Sequence, residues 1–276
     1  MLIIILGILL AIGLRVFVFA VFTIPTPSMQ PSIEHGDRIV VNKLIPGPRL
    51  ISNLFSLRDG ATPIYTRLPG WRGIKRNDVL IFNYPYSDWQ YLDLDRNIFY
   101  AKRCVAIPKD TFYIENGIYK VKGVADTLGH YPSQKQFYNI PSEQLDPNIY
   151  NCFPFDERYG WNIKSFGPLY VPAKGDTLAV HVNTLVLYKN LIIYETKKNI
   201  SIDNDKVLLG DSVINYYVFG KNYYFMAGDL VYDSQDSRYW GLLPEDHIIG
   251  KVSFIYKSVD PYTGKNRWSR FFKTVK

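Results

Sequence analysis

Ser28 could supply a nucleophile, because proline residues restrict the backbone on both sides of it. In residues 25–31, three of the seven positions are proline. The pyrrolidine ring fixes φ, so we expect the Ser28 hydroxyl to be held in one place. Proline and serine are also common in linkers, so a connection between an N-terminal element and a domain is the alternative. A catalytic role would require a neighbouring base to activate the hydroxyl.

Lys102 could be that base. It lies in residues 99–107, an alternating segment in which most neighbours are apolar or aromatic. Burial disfavours the charged ammonium and lowers its pKa, so the free amine becomes able to accept a proton from a serine hydroxyl. The alternative is a lysine whose aliphatic stem packs on the domain while its amine reaches water.

Other catalytic and cofactor-binding motifs are absent from the sequence. It contains no G-x-S-x-G elbow, H-E-x-x-H zinc helix, P-loop or G-x-G-x-x-G fingerprint, and its four histidines fit no recognisable catalytic setting. The two cysteines, Cys104 and Cys152, are too few for a disulfide scaffold and are not spaced as a zinc site. We therefore expect no metal, no other cofactor and no bridge between these cysteines.

Four motifs lie in order along the chain, at 27–32 with the following strand 36–43, 76–82, 102–103 with 108–110, and 228–229 with 234–241. They resemble those of the type I signal peptidases of the Ser-Lys kind. The resemblance implies a membrane-bound serine endopeptidase that removes N-terminal signal peptides from exported precursors after small residues, at Ala-x-Ala sites. The chain departs from the family pattern at 230–233, where Asn-Arg-Asp-Asn is usual, and at Lys109, where glycine is usual.

This resemblance assigns a role to each matching residue. Ser28 would be the nucleophile and Lys102 the general base. Ser234 would orient the lysine amine, and Thr26 would help the Ser28 backbone N–H to bind the oxyanion. For Thr26, a turn residue beside prolines is the alternative interpretation. Ion pairs would hold the last motif against the lysine strand; the residues concerned are Arg103, Asp229, Asp236 and Arg238.

A precursor would lie extended in a groove beside the strand that leads to Lys102. We hypothesise that it pairs with this strand by β-augmentation. Small side chains at the first and third positions before the scissile bond would fill shallow pockets. These pockets are predicted to be lined by Ile24, Met29, Ile33, Tyr100 and Ala101.

The elements that must position these residues are predicted to be β-strands. The 276 residues are 47% hydrophobic and 16% aromatic, enough to bury a core and favourable to pleated sheets. Short alternating segments bounded by Gly, Asn and Asp indicate a mainly β fold, with a barrel-like antiparallel catalytic core and an inserted β-rich subdomain. The predicted strands are 38–42, 79–83, 99–107, 111–114, 118–121, 178–182, 185–188, 191–195 and 252–256.

Turn signals separate these strands. Residues 115–117 predict a hairpin, because Asn116-Gly117 supplies the positive φ angles of a type I′ turn. Pro and Gly concentrate in 46–73 and 129–172, which indicates two long surface excursions. A second turn motif precedes an apolar stretch at four places, namely 36–37, 77–78, 175–176 and 210–211.

The N-terminal segment 1–24 is predicted to be a transmembrane anchor. Its only charged side chain is Arg15, and at ~1.5 Å per residue a helix of this length would cross a hydrocarbon core of roughly 30 Å. A cleavable signal peptide is the alternative, although no cation precedes the apolar run. The rest of the chain is predicted to divide into a catalytic β core at 25–114 and 174–264, an inserted subdomain at 115–173, and a basic aromatic segment at 265–276. The last would be a short helix, either lying on lipid or docked on the domain.

The net charge of +7 favours an anionic membrane surface over nucleic acid, because the cations are scattered among acids and form no basic run. The expected partners are therefore exported precursors and membrane lipid, not nucleic acid. The resemblance places the protein in the cytoplasmic membrane of a bacterium, with its catalytic domain on the outer, periplasmic face. Two rivals are an inactive homologue that only binds peptides and a structural envelope β-protein. In the second, Ser28 and Lys102 would lie far apart.

Overall fold

Antiparallel β-structure dominates the computed structural model, which describes residues 1–51, 65–86, 91–94 and 97–275. Most of the predicted strands are present, and additional short strands follow residue 196. The strands in chain order are β1 (Phe19–Thr23), β2 (Asp37–Asn42), β3 (Arg49–Ile51), β4 (Tyr65–Arg67), β5 (Val79–Asn83), β6 (Phe99–Ala106), β7 (Thr111–Glu115), β8 (Ile118–Val121), β9 (Ser165–Tyr170), β10 (Thr177–Ala179), β11 (Ile200–Asp203), β12 (Lys206–Leu209), β13 (Ser212–Ile214), β14 (Tyr216–Val218), β15 (Tyr223–Ala227), β16 (Leu243–Pro244), β17 (Ile248–Ser258) and β18 (Lys273–Thr274).

Helices are short and lie outside the main sheet. Over the described residues, five are α-helical, a π-helical turn at Leu14–Val18 continues the first of them, and 3₁₀ turns lie at Ser142–Gln144, Glu245–His247 and Trp268–Arg270. The α-helices are α1 (Leu2–Gly13), α2 (Tyr131–Tyr138), α3 (Pro147–Tyr150), α4 (Val182–Thr196) and α5 (Ser237–Trp240).

The main sheet curls into a half-barrel. Its eight strands follow the order β1-β2-β17-β5-β6-β15-β16, with β18 paired to β17. Curvature brings the two sides of the sheet together, since the rings of Phe22 in β1 and Phe99 in β6 are 5.3 Å apart. The predicted barrel-like antiparallel core is therefore present as a half-barrel.

Strand β5 is buried on both faces because it separates two hydrophobic clusters. Leu80 and Phe82 point into the larger cluster, which extends to the α4 region, whereas Val79 and Ile81 point into a smaller cluster beneath β1 and β2. This alternation follows from the two-residue period of a strand. The run Val-Leu-Ile-Phe can therefore remain apolar throughout.

The N-terminal segment is not one helix over 1–24. Helical structure ends at Val18, and residues 19–23 form β1, which pairs with β2 from Phe19↔Asn42 to Thr23↔Arg38. Hydropathy alone does not separate these elements, but Phe, Val and Thr at 19–23 suit a pleated strand. Within the described ranges, no helix has both the length and the apolar character needed to cross a membrane.

The turn predictions are confirmed. Strands β7 and β8 are joined by Asn116 and Gly117 alone, with φ of 51° and 80°, the signs that a type I′ turn requires. Residues 36, 77, 175 and 210 also have positive φ and precede β2, β5, β10 and β13. Strand β9 completes the β7–β8 sheet, whose order is β8-β7-β9. Residues 52–64 of the excursion at 46–73 lie outside the described residues.

Two predicted strands, 185–188 and 191–195, are wrong, because both belong to helix α4. The segment contains two short apolar runs, and such runs do not distinguish a strand from a buried helix. The helix is 15 residues long, and its buried side chains have helical spacing, at Leu185, Tyr188, Leu191 and Ile192. The predicted strand 178–182 is correspondingly shorter, ending at Ala179 in β10.

The C-terminal segment is docked on the domain without forming the predicted helix. Up to residue 275, where the described part of the chain ends, the segment contains a 3₁₀ turn at Trp268–Arg270 and the strand β18, and no α-helix. Arg270 is buried, with Nη2 2.6 Å from Oδ2 of Asp37 and Nη1 2.8 Å from Oε1 of Glu34. These ion pairs fix the segment beside the start of β2.

Candidate active site

Ser28 lies in a turn whose ends are anchored in the smaller hydrophobic cluster. Gln30 N donates to Pro27 O over 2.8 Å, and Ile33 N donates to Met29 O over 2.9 Å. Met29 and Ile33 are buried, whereas Ser28 is half-buried and lines a cavity. The buried residues on its C-terminal side hold the hydroxyl at the cavity wall.

Lys102 faces Ser28 from strand β6. Its Nζ lies 2.6 Å from Ser28 Oγ, within hydrogen-bond distance for proton transfer. The side chain is only 3% exposed, so its amine does not reach bulk water. Because the amine is buried, the alternative of a lysine whose amine reaches water is excluded. A structural envelope protein, in which Ser28 and Lys102 would lie far apart, is excluded by the short distance between them.

Ser234 provides a second hydroxyl that contacts the same amine. Its Oγ lies 3.0 Å from Lys102 Nζ, so the amine is held between two hydroxyls. The chain comes this close because residue 228 is glycine: a Cβ there would overlap Ser234 Oγ and also contact Ser28 O. Leu230 N donates to Ser28 O over 3.1 Å, which ties the altered 230–233 segment to the nucleophile turn. The sequence analysis placed Gly228 in a motif but did not recognise this steric role.

Burial lowers the pKa of Lys102 from its ordinary value of 10.5 to about 8. Asp236 opposes this by stabilising the ammonium, and the Arg238 guanidinium lowers the pKa again. Asp229 and Asp233 raise the pKa by smaller amounts. A usable fraction of the amine is therefore neutral near pH 7, when it can accept the Ser28 proton.

Two buried bidentate ion pairs support the lysine strand and the last motif. Arg103 in β6 places Nε and Nη2 2.7 and 2.6 Å from the two carboxylate oxygens of Asp229. Arg238 contacts both oxygens of Asp236 at 2.8 Å, and both residues are fully buried. The Asp236 carboxylate also accepts from Gly228 N, which fixes the glycine that faces Ser234.

Two hydrogen-bond donors at the cavity wall are without a partner in the described structure. Among the described residues, neither the Ser28 backbone N–H nor the Thr26 hydroxyl has a hydrogen-bond partner, and both residues line the cavity. Thr26 is exposed at the cavity wall, in a bend between Pro25 and Pro27. Both donors are therefore available to a ligand oxygen.

The cavity at Ser28 has a volume of about 610 Å³ and is mainly apolar. Of the predicted pocket residues, Ile24, Met29, Tyr100 and Ala101 line it. Ile33 does not, because it is fully buried in the smaller cluster below Met29. Alternation along a strand could not reveal this, since Ile33 lies in a turn. Further lining residues that the sequence analysis missed are Phe22, Thr23, Ile81, Asn97, Ile98, Phe99, Asp233 and Gln235.

The remaining reactive side chains lie away from the cavity. Cys104 and Cys152 are buried free thiols, and burial raises the pKa of both. His247 is fully buried beside Tyr194, and burial lowers its pKa to about 4. Over the described part of the chain, no three His, Cys, Asp or Glu side chains are grouped as a metal site would require.

Comparison with known proteins gives a consistent result. The family model described as "Signal peptidase, peptidase S26" matches residues 1–257. Signal peptidase I of Buchnera aphidicola subsp. Schizaphis graminum is 28% identical over 269 residues, covering 92% of this chain and 72% of that protein. Signal peptidase I of Aquifex aeolicus is 27% identical, covering 94% and 81%. Signal peptidase I of Helicobacter pylori is 24% identical, covering 94% and 86%.

Proposed function

The chain belongs to the signal peptidase family, peptidase S26, and is a serine protease; on this premise, we propose that it removes N-terminal signal peptides from exported precursors. We propose cleavage after small residues, at Ala-x-Ala sites. One observation carries the assignment of its chemistry: the buried amine of Lys102 lies 2.6 Å from the Ser28 hydroxyl at the wall of a large cavity.

In the proposed mechanism, Ser28 Oγ attacks the scissile carbonyl while Lys102 Nζ removes its proton. The Ser28 N–H and the Thr26 hydroxyl stabilise the negative charge that develops on the carbonyl oxygen. The lysine ammonium then donates its proton to the leaving amine, and water hydrolyses the acyl-enzyme on Ser28. Ser234 keeps Nζ directed toward Ser28, since its Oγ is 3.0 Å from that nitrogen.

An open strand edge supports binding of an extended substrate. Strand β6 pairs with β5 along 99–103, but on its other side β15 reaches only as far as Arg103↔Ala227. Residues 99–102 therefore have one edge without a strand partner in the described structure, and this edge faces the cavity. We propose that the precursor forms backbone hydrogen bonds there, which brings its scissile bond to Ser28.

The apolar N-terminus supports membrane attachment. Leu2, Ile3 and Leu10 are each more than 60% exposed, and no part of the described domain covers helix α1. Such a surface is unfavourable in water. We propose that this segment anchors the enzyme in the cytoplasmic membrane of a bacterium, with the catalytic domain on its outer, periplasmic face. Precursors would then meet the site at a high local concentration.

Cleavage of a defined precursor tests the proposed function. We expect purified protein to cut a precursor once, directly after its Ala-x-Ala sequence, as mass spectrometry of both products would show. Replacing the last alanine by phenylalanine is expected to slow cleavage at least about tenfold, because the larger ring does not fit a pocket suited to a methyl group. A matched precursor with phenylalanine ten residues after the bond controls for hydrophobicity. Absence of cutting would favour the inactive, peptide-binding homologue, whereas cutting at unrelated positions would contradict the proposed cleavage specificity.

A further inference from the structure

Asp233 lines the catalytic cavity but has no part in the proposed mechanism. It ends the 230–233 segment, in which the sequence departs from the family pattern, and it lies beside Ser234. The residue is exposed and shares the cavity wall with Ser28 and Lys102. In the described part of the chain, its carboxylate has no hydrogen bond and no ion pair.

The other acidic residues near the site are neutralised by neighbours. Asp229 is paired with Arg103, and Asp236 is paired with Arg238, each through two hydrogen bonds. Asp233 has no such cation among the residues that the structure describes, so its charge remains available to a molecule in the cavity. A carboxylate at the mouth of a partly apolar cleft attracts cations and repels anions more strongly than one in open water.

The charge balance of the cavity wall is simple. Lys102 and Asp233 are the only charged side chains among the described residues that line it. Lys102 must be neutral to accept the Ser28 proton, so in the active form of the enzyme these described residues together present one net negative charge to the substrate. Asp233 is near enough to influence the reacting groups, since it stabilises the ammonium form of Lys102.

We propose that Asp233 is a specificity residue that favours precursors with a basic side chain, and disfavours those with an acidic one, close to the scissile bond. This inference rests on the proposed function and adds a charge preference to the requirement for small residues. Asp233 acts through space on the substrate side chain and is not needed for bond cleavage itself.

The test uses peptides that contain one Ala-x-Ala site. Lys, Gln or Glu is placed in turn at x and at each of the first two positions after the bond, and kcat/KM is measured for every peptide. For wild type we expect Lys to exceed Glu by about three- to tenfold in at least one position, the size of one Coulomb interaction across a partly solvated gap. This ratio should decrease at about 1 M salt, where screening is nearly complete over short distances.

Variants assign the preference to Asp233. Asp233→Asn should bring the Lys/Glu ratio close to one, and Asp233→Lys should invert it. Each ratio compares two peptides on the same enzyme, so a change in Lys102 basicity cancels. Asp211→Asn, which alters an exposed carboxylate outside the cavity, should retain the wild-type ratio. Thermal melting shows that each variant is folded.

The outcomes separate this inference from the function on which it rests. Cleavage of the Gln peptides, with the same Lys/Glu ratio in wild type and Asp233→Asn at all three positions, would overturn the charge preference alone. Failure of wild type to cleave any peptide would overturn the proposed function and this inference with it.

Discussion

Ser28→Ala is expected to lower kcat for precursor cleavage by roughly 10⁴-fold or more, and Lys102→Ala by a similar factor. Alanine at 28 removes the attacking oxygen, and alanine at 102 removes the amine 2.6 Å away that would take its proton. Because the two groups act as a unit, the double variant should be about as slow as either single variant. Rates under single-turnover conditions, with product masses, measure this directly.

The controls are a serine and a lysine on the domain surface. Ser201→Ala and Lys122→Ala remove exposed side chains outside the cavity and should leave cleavage close to wild type. If either Ser28→Ala or Lys102→Ala retained substantial turnover, the Ser-Lys mechanism would be wrong even if the protein still cut signal peptides.

Arg238→Met is expected to destabilise the domain by about 3 to 5 kcal/mol, because it leaves the Asp236 carboxylate buried without its cation. For a domain of this size, the melting temperature should then fall by roughly 6 to 20 °C.

Arg238 also lowers the pKa of Lys102, whereas Asp236 raises it. Loss of the guanidinium should therefore raise the pKa of the lysine and move the rising limb of the pH–rate profile to higher pH.

A matched pair elsewhere in the chain controls for the charge change. Asp156 and Arg158 have the same spacing in sequence, and Arg158 Nε lies 2.8 Å from Asp156 Oδ1, but the guanidinium is half exposed. Arg158→Met should leave the melting temperature and the pH–rate profile close to wild type, since exposed pairs contribute little. Equal effects of the two substitutions would show that burial of the Asp236–Arg238 pair is not what makes it important.

Much of the site follows from short stretches of sequence. Prolines around Ser28 and the apolar neighbours of Lys102 are local signals, so the nucleophile turn and the lysine strand could be located separately. The distance of 2.6 Å between Lys102 Nζ and Ser28 Oγ, however, depends on the tertiary structure. Local chemistry made Ser28 and Lys102 candidates, each with an alternative interpretation. The roles of Ser234 and Thr26 came from the resemblance between motifs alone, because no rule of periodicity relates residues so far apart in the chain.

The missed features depend on three-dimensional packing. Helix α4 was predicted as two strands because its apolar runs are short, and the pattern that separates a buried helix from a strand appears only over its full length. The N-terminal helix ends at Val18 because residues 19–23 complete the edge of the main sheet. Gly228 is important because Ser234 lies against it, and Asp233 because it lines the cavity with Ser28 and Lys102. The local sequence does not reveal either contact.

The central claim is that Lys102 supplies a neutral amine to Ser28 near neutral pH. It is tested most directly by titrating Lys102 in the folded protein, with NMR detection of ¹³C-labelled lysine Cε and assignment by Lys102→Ala. Because burial lowers the pKa, the amine should lose its proton at about pH 8, and kcat/KM should rise with pH through the same midpoint. A Lys102 titration near the ordinary value of 10.5, with no rise in rate around pH 8, would contradict the account.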